Sequence, residues 1–251
     1  MTGKDNPYRN NPAISKDPVV LCSPSGAAYL AEKDRRLFLI VRHGQTDWNA
    51  ERRLQGREHI PLNDAGKEQA ASCGRLFASA KDAGIEFCGF YSSPLGRAVE
   101  TAESIARAVG EEEVVPWETL IERDYGALSG LTLDERKKLY RSGGPDPDAE
   151  SVEDAAARMK KALCEISQEI KRDGAAVCVT HAGIINALFS VITCGRLGTG
   201  KSFCENCAVS IVVVGRDVTF PVAYGLTGEL FIDFIKEYVC ALERLRAGSG
   251  V

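Results

Sequence analysis

The sequence predicts an α/β fold, a three-layer α/β/α sandwich with a mainly parallel central sheet. Three observations carry that reading. Continuous apolar runs recur, "LFLIV" at 37–41, "AAVCVT" at 175–180 and "VSIVVV" at 209–214, the pattern of strands buried on both faces. Segments with apolar residues at helical spacing lie between the strands. The chain has 251 residues, 44% hydrophobic and 26% charged, enough for one large α/β domain or two small ones.

The elements follow in order. Residues 1–35 read as a polar leader, mobile over 1–17, with a short hairpin in "VVLCSPSGAAYL" around residues 23–26. Residues 36–251 read as a single catalytic domain. After the 37–41 strand, Asn63 and Asp64 offer a cap for a helix over 65–80, with Ala70, Cys73, Phe77 and Ala80 on one face. "FCGFY" at 87–91 is a strand. A helix follows with Ala98, Ala102, Ile105 and Val109 at helical spacing, stopped by Gly110. Ser151 caps another helix, which buries Val152, Met159, Leu163, Ile166 and Ile170. The 175–180 strand leads into the helix "IINALFSVI". Runs at 209–214 and 218–224 form a closing pair of strands, and an amphipathic helix covers 230–245. Alternating strands and helices put helices on both faces of the sheet.

Composition excludes several classes. The net charge of −4 gives no bulk attraction to nucleic acid or to an acidic membrane. No apolar run is long enough to span a bilayer, and the first residues lack the apolar core of a secretory signal. The nine cysteines are odd in number and irregular in spacing, which reads as reduced, mostly buried thiols in a cytoplasm. Cys204 and Cys207 make a lone CxxC, without the second pair that a four-ligand zinc site needs.

One motif invites a nucleotide-binding reading. "GRLGTGKS" at 195–202 satisfies G-x-x-x-x-G-K-[ST]. A phosphate-cradling loop, however, runs from a strand into the N-terminus of a helix. Here a helical segment precedes the motif and a strand follows it, the reverse order. The stretch reads as a turn, and P-loop nucleotide binding stays a remote alternative.

A second pattern points elsewhere. Arg42, His43 and Gly44 stand where the first buried strand ends, and His181 stands where the 175–180 strand ends, again before a helix. Sites in open α/β sheets form beyond the carboxyl ends of strands. Two of the three histidines of the chain arrive at that edge. Arg97 opens a helix just after "YSSP", and arginine matches phosphate oxygens two at a time.

The segments "LIVRHGQTDWN", "LQGREHIPLNDAGKEQA", "YSSPLGRAVETA", "ERDYGALSG" and "VTHAGIIN" resemble, in order, the motifs of the histidine phosphatase superfamily, which includes the phosphoglycerate mutases. The resemblance runs over residues 37–214. It implies the phosphoglycerate mutase-like fold, with His43 as a nucleophile that takes the phosphoryl group on a ring nitrogen. It implies that Arg42, Arg97 and His181 hold the phosphate, that Asn49 and the Gly44 amide add donors, and that Glu122 is the general acid. Arg123 and Tyr125 would bind the rest of the substrate. His59 matches no catalytic position. No metal or nucleotide cofactor is implied, and the expected partner is a small phosphorylated metabolite, with a homodimer compatible.

The resemblance leaves two activities. A mutase must return the phosphoryl group to its substrate before water arrives, which requires a closed lid and a tight grip on the substrate. "ERDYGALSGL" is close to the mutase form, and a mutase would use 2,3-bisphosphoglycerate as primer. The next segment, "TLDERKKLYRSGGPDPDAES", lacks the extended basic insertion and its adjacent arginine pair, although Lys137, Lys138 and Arg141 could substitute. "HAGIIN" is closer to phosphatase forms. The expected activity is therefore phosphomonoester hydrolysis, with cofactor-dependent phosphoglycerate mutase as the alternative. A weak binding or regulatory protein on the same fold is a third reading, opposed by the filled catalytic positions.

Overall fold

The structure is a computed structural model that describes residues 14–31, 35–142, 148–216 and 218–248. The described elements are β1 (Val19–Val20), α1 (Pro24–Ala31), β2 (Arg36–Arg42), α2 (Asp47–Ala50), α3 (Asp64–Asp82), β3 (Phe87–Ser92), α4 (Gly96–Ala108), β4 (Val115–Pro116), α5 (Leu133–Ser142), α6 (Val152–Glu169), β5 (Ala175–Thr180), α7 (Ala182–Ile192), β6 (Val209–Val214), β7 (Thr219–Leu226) and α8 (Gly228–Gly248). The sheet order is β1-β7-β6-β2-β5-β3-β4. The strands β2, β5, β3 and β4 run parallel, while β6, β7 and β1 join antiparallel on the β2 side.

Strand β2 shows why the apolar runs are continuous. Leu37, Leu39 and Val41 face the layer of α1, α3, α4 and α8, whereas Phe38 and Ile40 face the layer of α6 and α7. A strand covered on both faces has no solvent side and no polar alternation. On the first layer Phe77 of α3 packs between Phe87 and Phe231, at ring-centroid distances of 5.7 and 5.2 Å. Truncating such a buried ring costs about 4 kcal/mol through lost transfer energy and the cavity left behind.

The helix caps follow the sequence. Asn63 accepts the Gly66 amide through its side chain, and Ser151 accepts the Asp154 amide. Helix α4 ends at Ala108 with Val109 as its C-cap, and the chain turns at Gly110 with φ of 80°.

The leader differs from its expectation. The segment read as a hairpin contributes only β1, which pairs with β7, and then forms helix α1. Ser23 Oγ accepts the Gly26 amide and Pro24 takes the first helical position, so Ser-Pro here starts a helix rather than a strand turn. Residues 1–13 of the leader lie outside the described residues. All nine cysteines are free. Cys73, Cys88, Cys178 and Cys204 are buried, but Cys194 and Cys240 are exposed, so burial is less general than expected.

Candidate active site

The site grows from the parallel pairing of β2 with β5. Arg42 stands opposite Thr180 in register, so the next residues, His43 and His181, leave the sheet side by side. The His43 amide donates to the Thr180 carbonyl at 2.9 Å, and the Ser93 amide, leaving β3, donates to the Val179 carbonyl at 2.9 Å. Three strand exits are thus stitched together. The His43 and His181 rings meet edge-on with centroids 5.0 Å apart.

His43 Nδ1 lies 2.6 Å from the Gly44 carbonyl oxygen. A carbonyl only accepts, so Nδ1 carries the proton and Nε2 keeps its lone pair. Burial, with Arg42 and Arg97 nearby, holds the His43 pKa well below the ordinary histidine value, so the imidazole is neutral. His181 is also neutral, depressed first by burial and then by Arg97, His43 and Arg42. Its Nε2 lies 2.7 Å from Ser93 Oγ, and its buried Nδ1 has no hydrogen-bond partner.

Both arginines are buried and anchored on backbone carbonyls. Arg42 donates to the Cys204 carbonyl at 2.6 Å. Arg97 donates to the Glu58 and Gly56 carbonyls at 2.6 and 2.8 Å, which straps the loop after α2 over the site. Burial lowers the Arg97 pKa to about 10, still charged at neutral pH. The Nε atoms of both arginines are buried without a partner.

Glu122 is buried, and its carboxylate meets the start of α7. Oε1 accepts the Arg123 and Ile184 amides at 2.8 and 2.9 Å, and Oε2 accepts the Gly183 amide at 3.0 Å. Burial raises its pKa, and the three amide bonds and Arg97 only partly offset that.

The remaining expected residues sit around this group. Asn49 Oδ1 accepts the Thr46 amide at 3.3 Å, while Thr46 Oγ1 accepts the Asn49 amide at 3.2 Å, a capping box that fixes α2. The Gly44 amide, expected as a phosphate donor, is instead engaged by Thr101 Oγ1 at 3.1 Å. What requires glycine there is close approach: a Cβ on Gly44 would strike the Gly66 carbonyl, and one on Gly66 would strike Gln45. Arg123 donates to the Glu150 carbonyl at 2.6 Å and lies 5.2 Å over the Tyr125 ring. His59 is exposed. Lys137 pairs with Asp134 on exposed α5, and the Arg141 side chain lies outside the described residues.

Sequence reasoning missed several contributors. Ser93 orients His181. Arg158 of α6 donates to the Thr119, Ile121 and Glu122 carbonyls and pairs with Glu150 at 2.8 Å, clamping the segment that carries Glu122. Asn206, in the turn before β6, donates to the His43 carbonyl. Ser93 and Asn206 stand beside motifs in the sequence, but only the fold reveals their partners.

The glycine-rich turn at 195–202 follows α7 and precedes β6, as its flanks imply. Several of its amides are already engaged: Gly198 donates to Ser202 Oγ, Thr199 to Ser190 Oγ of α7, and Lys201 and Ser202 to the Gly198 carbonyl. Among the described residues no group of three or more His, Cys, Asp or Glu side chains is placed to hold a metal ion, and no helix is long and apolar enough to cross a membrane.

Comparison with known proteins agrees with this architecture. The profile of the histidine phosphatase superfamily (branch 1) matches residues 38–227. The chain is 37% identical to phosphoglycerate mutase-like protein 4 of Arabidopsis thaliana, over 61% of this chain and 69% of the relative. It is 35% identical to the uncharacterized phosphatase PhoE of Bacillus subtilis, over 62% and 77%. It is 30% identical to a 2,3-bisphosphoglycerate-dependent phosphoglycerate mutase of Mesorhizobium japonicum, over 62% and 81%. A mycobacterial glucosyl-3-phosphoglycerate phosphatase complexed with VO3 superposes with a TM-score of 0.66 at 23% identity, covering 76% of this chain and 100% of that one. With its profile match spanning most of the chain, the protein belongs to the histidine phosphatase superfamily.

Proposed function

We propose that the protein hydrolyses phosphate monoesters of small metabolites through a phosphohistidine on His43. The observation that carries this reading is the His43 Nδ1 contact with the Gly44 carbonyl, which leaves Nε2 as a neutral nucleophile on a ring that both buried arginines, Arg42 and Arg97, influence electrostatically. Nε2 attacks phosphorus and the ester P–O bond breaks. Arg42, Arg97 and His181 Nδ1 stabilise charge on the equatorial oxygens, with the guanidinium forks already fixed by their carbonyl bonds. Asn49 adds a neutral donor.

Glu122 protonates the leaving oxygen, then takes a proton from the water that cleaves the N–P bond and releases inorganic phosphate. Its raised pKa supports the acid role. Oε2, which accepts one amide where Oε1 accepts two, is the better site for the proton. Arg123 and Tyr125, half-buried beside Glu122, contact the rest of the substrate. No cofactor is required for hydrolysis.

Hydrolysis is favoured over mutase activity because the segment between the 3-10 turn Gly126–Leu128 and α6 is short and lacks an arginine pair. Phosphorus NMR with 3-phosphoglycerate and a trace of 2,3-bisphosphoglycerate tests the choice. Growth of inorganic phosphate supports hydrolysis. Growth of 2-phosphoglycerate at constant total ester overturns it in favour of the mutase.

A further inference from the structure

We infer that Asn206 is a positioning residue that fixes the Asn49 amide with its NH2 group turned toward the phosphoryl site. The inference rests on the reading of that site as a phosphoryl pocket.

The argument starts from donors and acceptors. An amide side chain can present its oxygen or its nitrogen at a given place, and its neighbours decide which. The Thr46 backbone N–H only donates, so Asn49 must present Oδ1 to it, at 3.3 Å. The His43 carbonyl only accepts, so Asn206 must present Nδ2 to it, at 2.9 Å. The second hydrogen of the same Asn206 nitrogen then meets Asn49 Oδ1 at 3.2 Å. Both orientations are set by backbone groups and agree with each other. Asn49 Oδ1 thereby accepts two hydrogen bonds, and Asn49 Nδ2 bonds to no described residue.

Asn206 is itself held. The Cys207 amide donates to the Arg42 carbonyl at 2.9 Å, the Ala208 amide closes the turn onto the Glu205 carbonyl at 3.2 Å, and the Cys204 carbonyl receives Arg42. Cys207 adopts φ of 59°, the left-handed region that a non-glycine residue enters at a cost. The turn before β6 therefore grips Arg42, His43 and Asn49 together, although Asn206 is separated from them by more than half the chain.

Asn206→Asp tests the inference, because a carboxylate keeps the shape and removes both donors. Facing the His43 carbonyl and Asn49 Oδ1 with acceptors only, it draws the Asn49 NH2 toward itself and away from the phosphoryl group. Orthovanadate binding by calorimetry is the probe, on wild type, Asn49→Ala, Asn206→Asp and the double variant, with the melting temperature of each. Asn206→Ala serves as a second single variant should the aspartate fail to fold.

Each single substitution is expected to weaken vanadate binding about tenfold, as for one hydrogen bond to a charged group. The double variant is expected to bind no worse than Asn49→Ala alone, because Asn206 acts through Asn49. Wild-type affinity in Asn206→Asp, or losses that multiply in the double variant, overturn the inference. Vanadate binding without turnover of any phosphate ester refutes the proposed hydrolysis and leaves the positioning test intact. A wild-type chain that binds no vanadate overturns both.

Discussion

The Gly183 amide donates to Glu122 Oε2 at 3.0 Å, and a Cβ on Gly183 would lie 2.7 Å from Oε1 and strike the Tyr125 hydroxyl. Glu122 and Tyr125 can lie against the start of α7 only because this position lacks a side chain. Gly183→Ala is expected to displace the carboxyl and lower kcat by roughly a hundredfold, the scale for a misplaced catalytic group. The fold should persist, since the displaced groups border the site rather than the core. Steady-state kinetics with circular dichroism on the same sample check this, and an alanine variant with full activity would show that Glu122 is not the acid.

The general acid role proposed for Glu122 makes its contribution depend on the leaving group. Glu122→Gln is expected to lower hydrolysis of an alkyl phosphate by about a hundredfold or more. Hydrolysis of p-nitrophenyl phosphate, whose leaving group needs no proton, should fall far less. Because burial raises the Glu122 pKa, the wild-type kcat/KM should decline on the alkaline side as the carboxyl ionises, and the glutamine variant should lose that limb. Equal losses on both substrates would contradict the role.

His43→Ala is expected to abolish phosphoenzyme formation and lower turnover by about a thousandfold or more. Rapid acid-sensitive labelling with a phosphorus-32 ester measures the intermediate. Intact phosphate release in this variant would place the nucleophile elsewhere.

Stability should fall on mild acidification. His43 and His181 have folded pKa values below the ordinary 6.5, so the unfolded chain binds more protons below that value. Their contribution is complete above pH 6.5 and is lost as pH falls from there toward the folded values. Each histidine should cost about 1.4 kcal/mol per pH unit within that window. Urea unfolding as a function of pH should show a steep acid limb that flattens in His181→Gln.

Lys201→Ala should leave phosphate-ester hydrolysis unchanged, and calorimetric titration with ATP should show no binding to either protein. The amides around Lys201 already bond within their own turn and to Ser190. ATP binding that disappears in the variant would revive the nucleotide reading.

The central strands were legible because burial on both faces leaves an unmistakable mark, as β2, β5 and β6 show, whereas the two-residue edge strand β4 was not. The long helices were legible from caps such as Asn63 and Ser151. Helix α1 was not, because Ser-Pro-Ser-Gly satisfies turn chemistry as well as helix initiation. Helix α5 was not, because its charged residues show no clear apolar stripe. The motif residues His43, Arg97, Glu122 and His181 gather at one strand edge in the structure. Asn206, Ser93 and Arg158 act through partners distant in sequence, so no local pattern announces them.

The sheet order carries a consequence for synthesis. Strand β5 is made after β3 yet lies between β2 and β3. Until residues 175–180 emerge, β2 and β3 both lack the strand that joins them in the finished sheet. Their edges are open to each other and to other chains during that interval. Insertion of β5 joins β2 to β3 and brings His181 beside His43, while β6 and β7, made later, cover the other edge of β2. The two histidines are therefore brought together only once the last parallel strand has been threaded between two earlier ones.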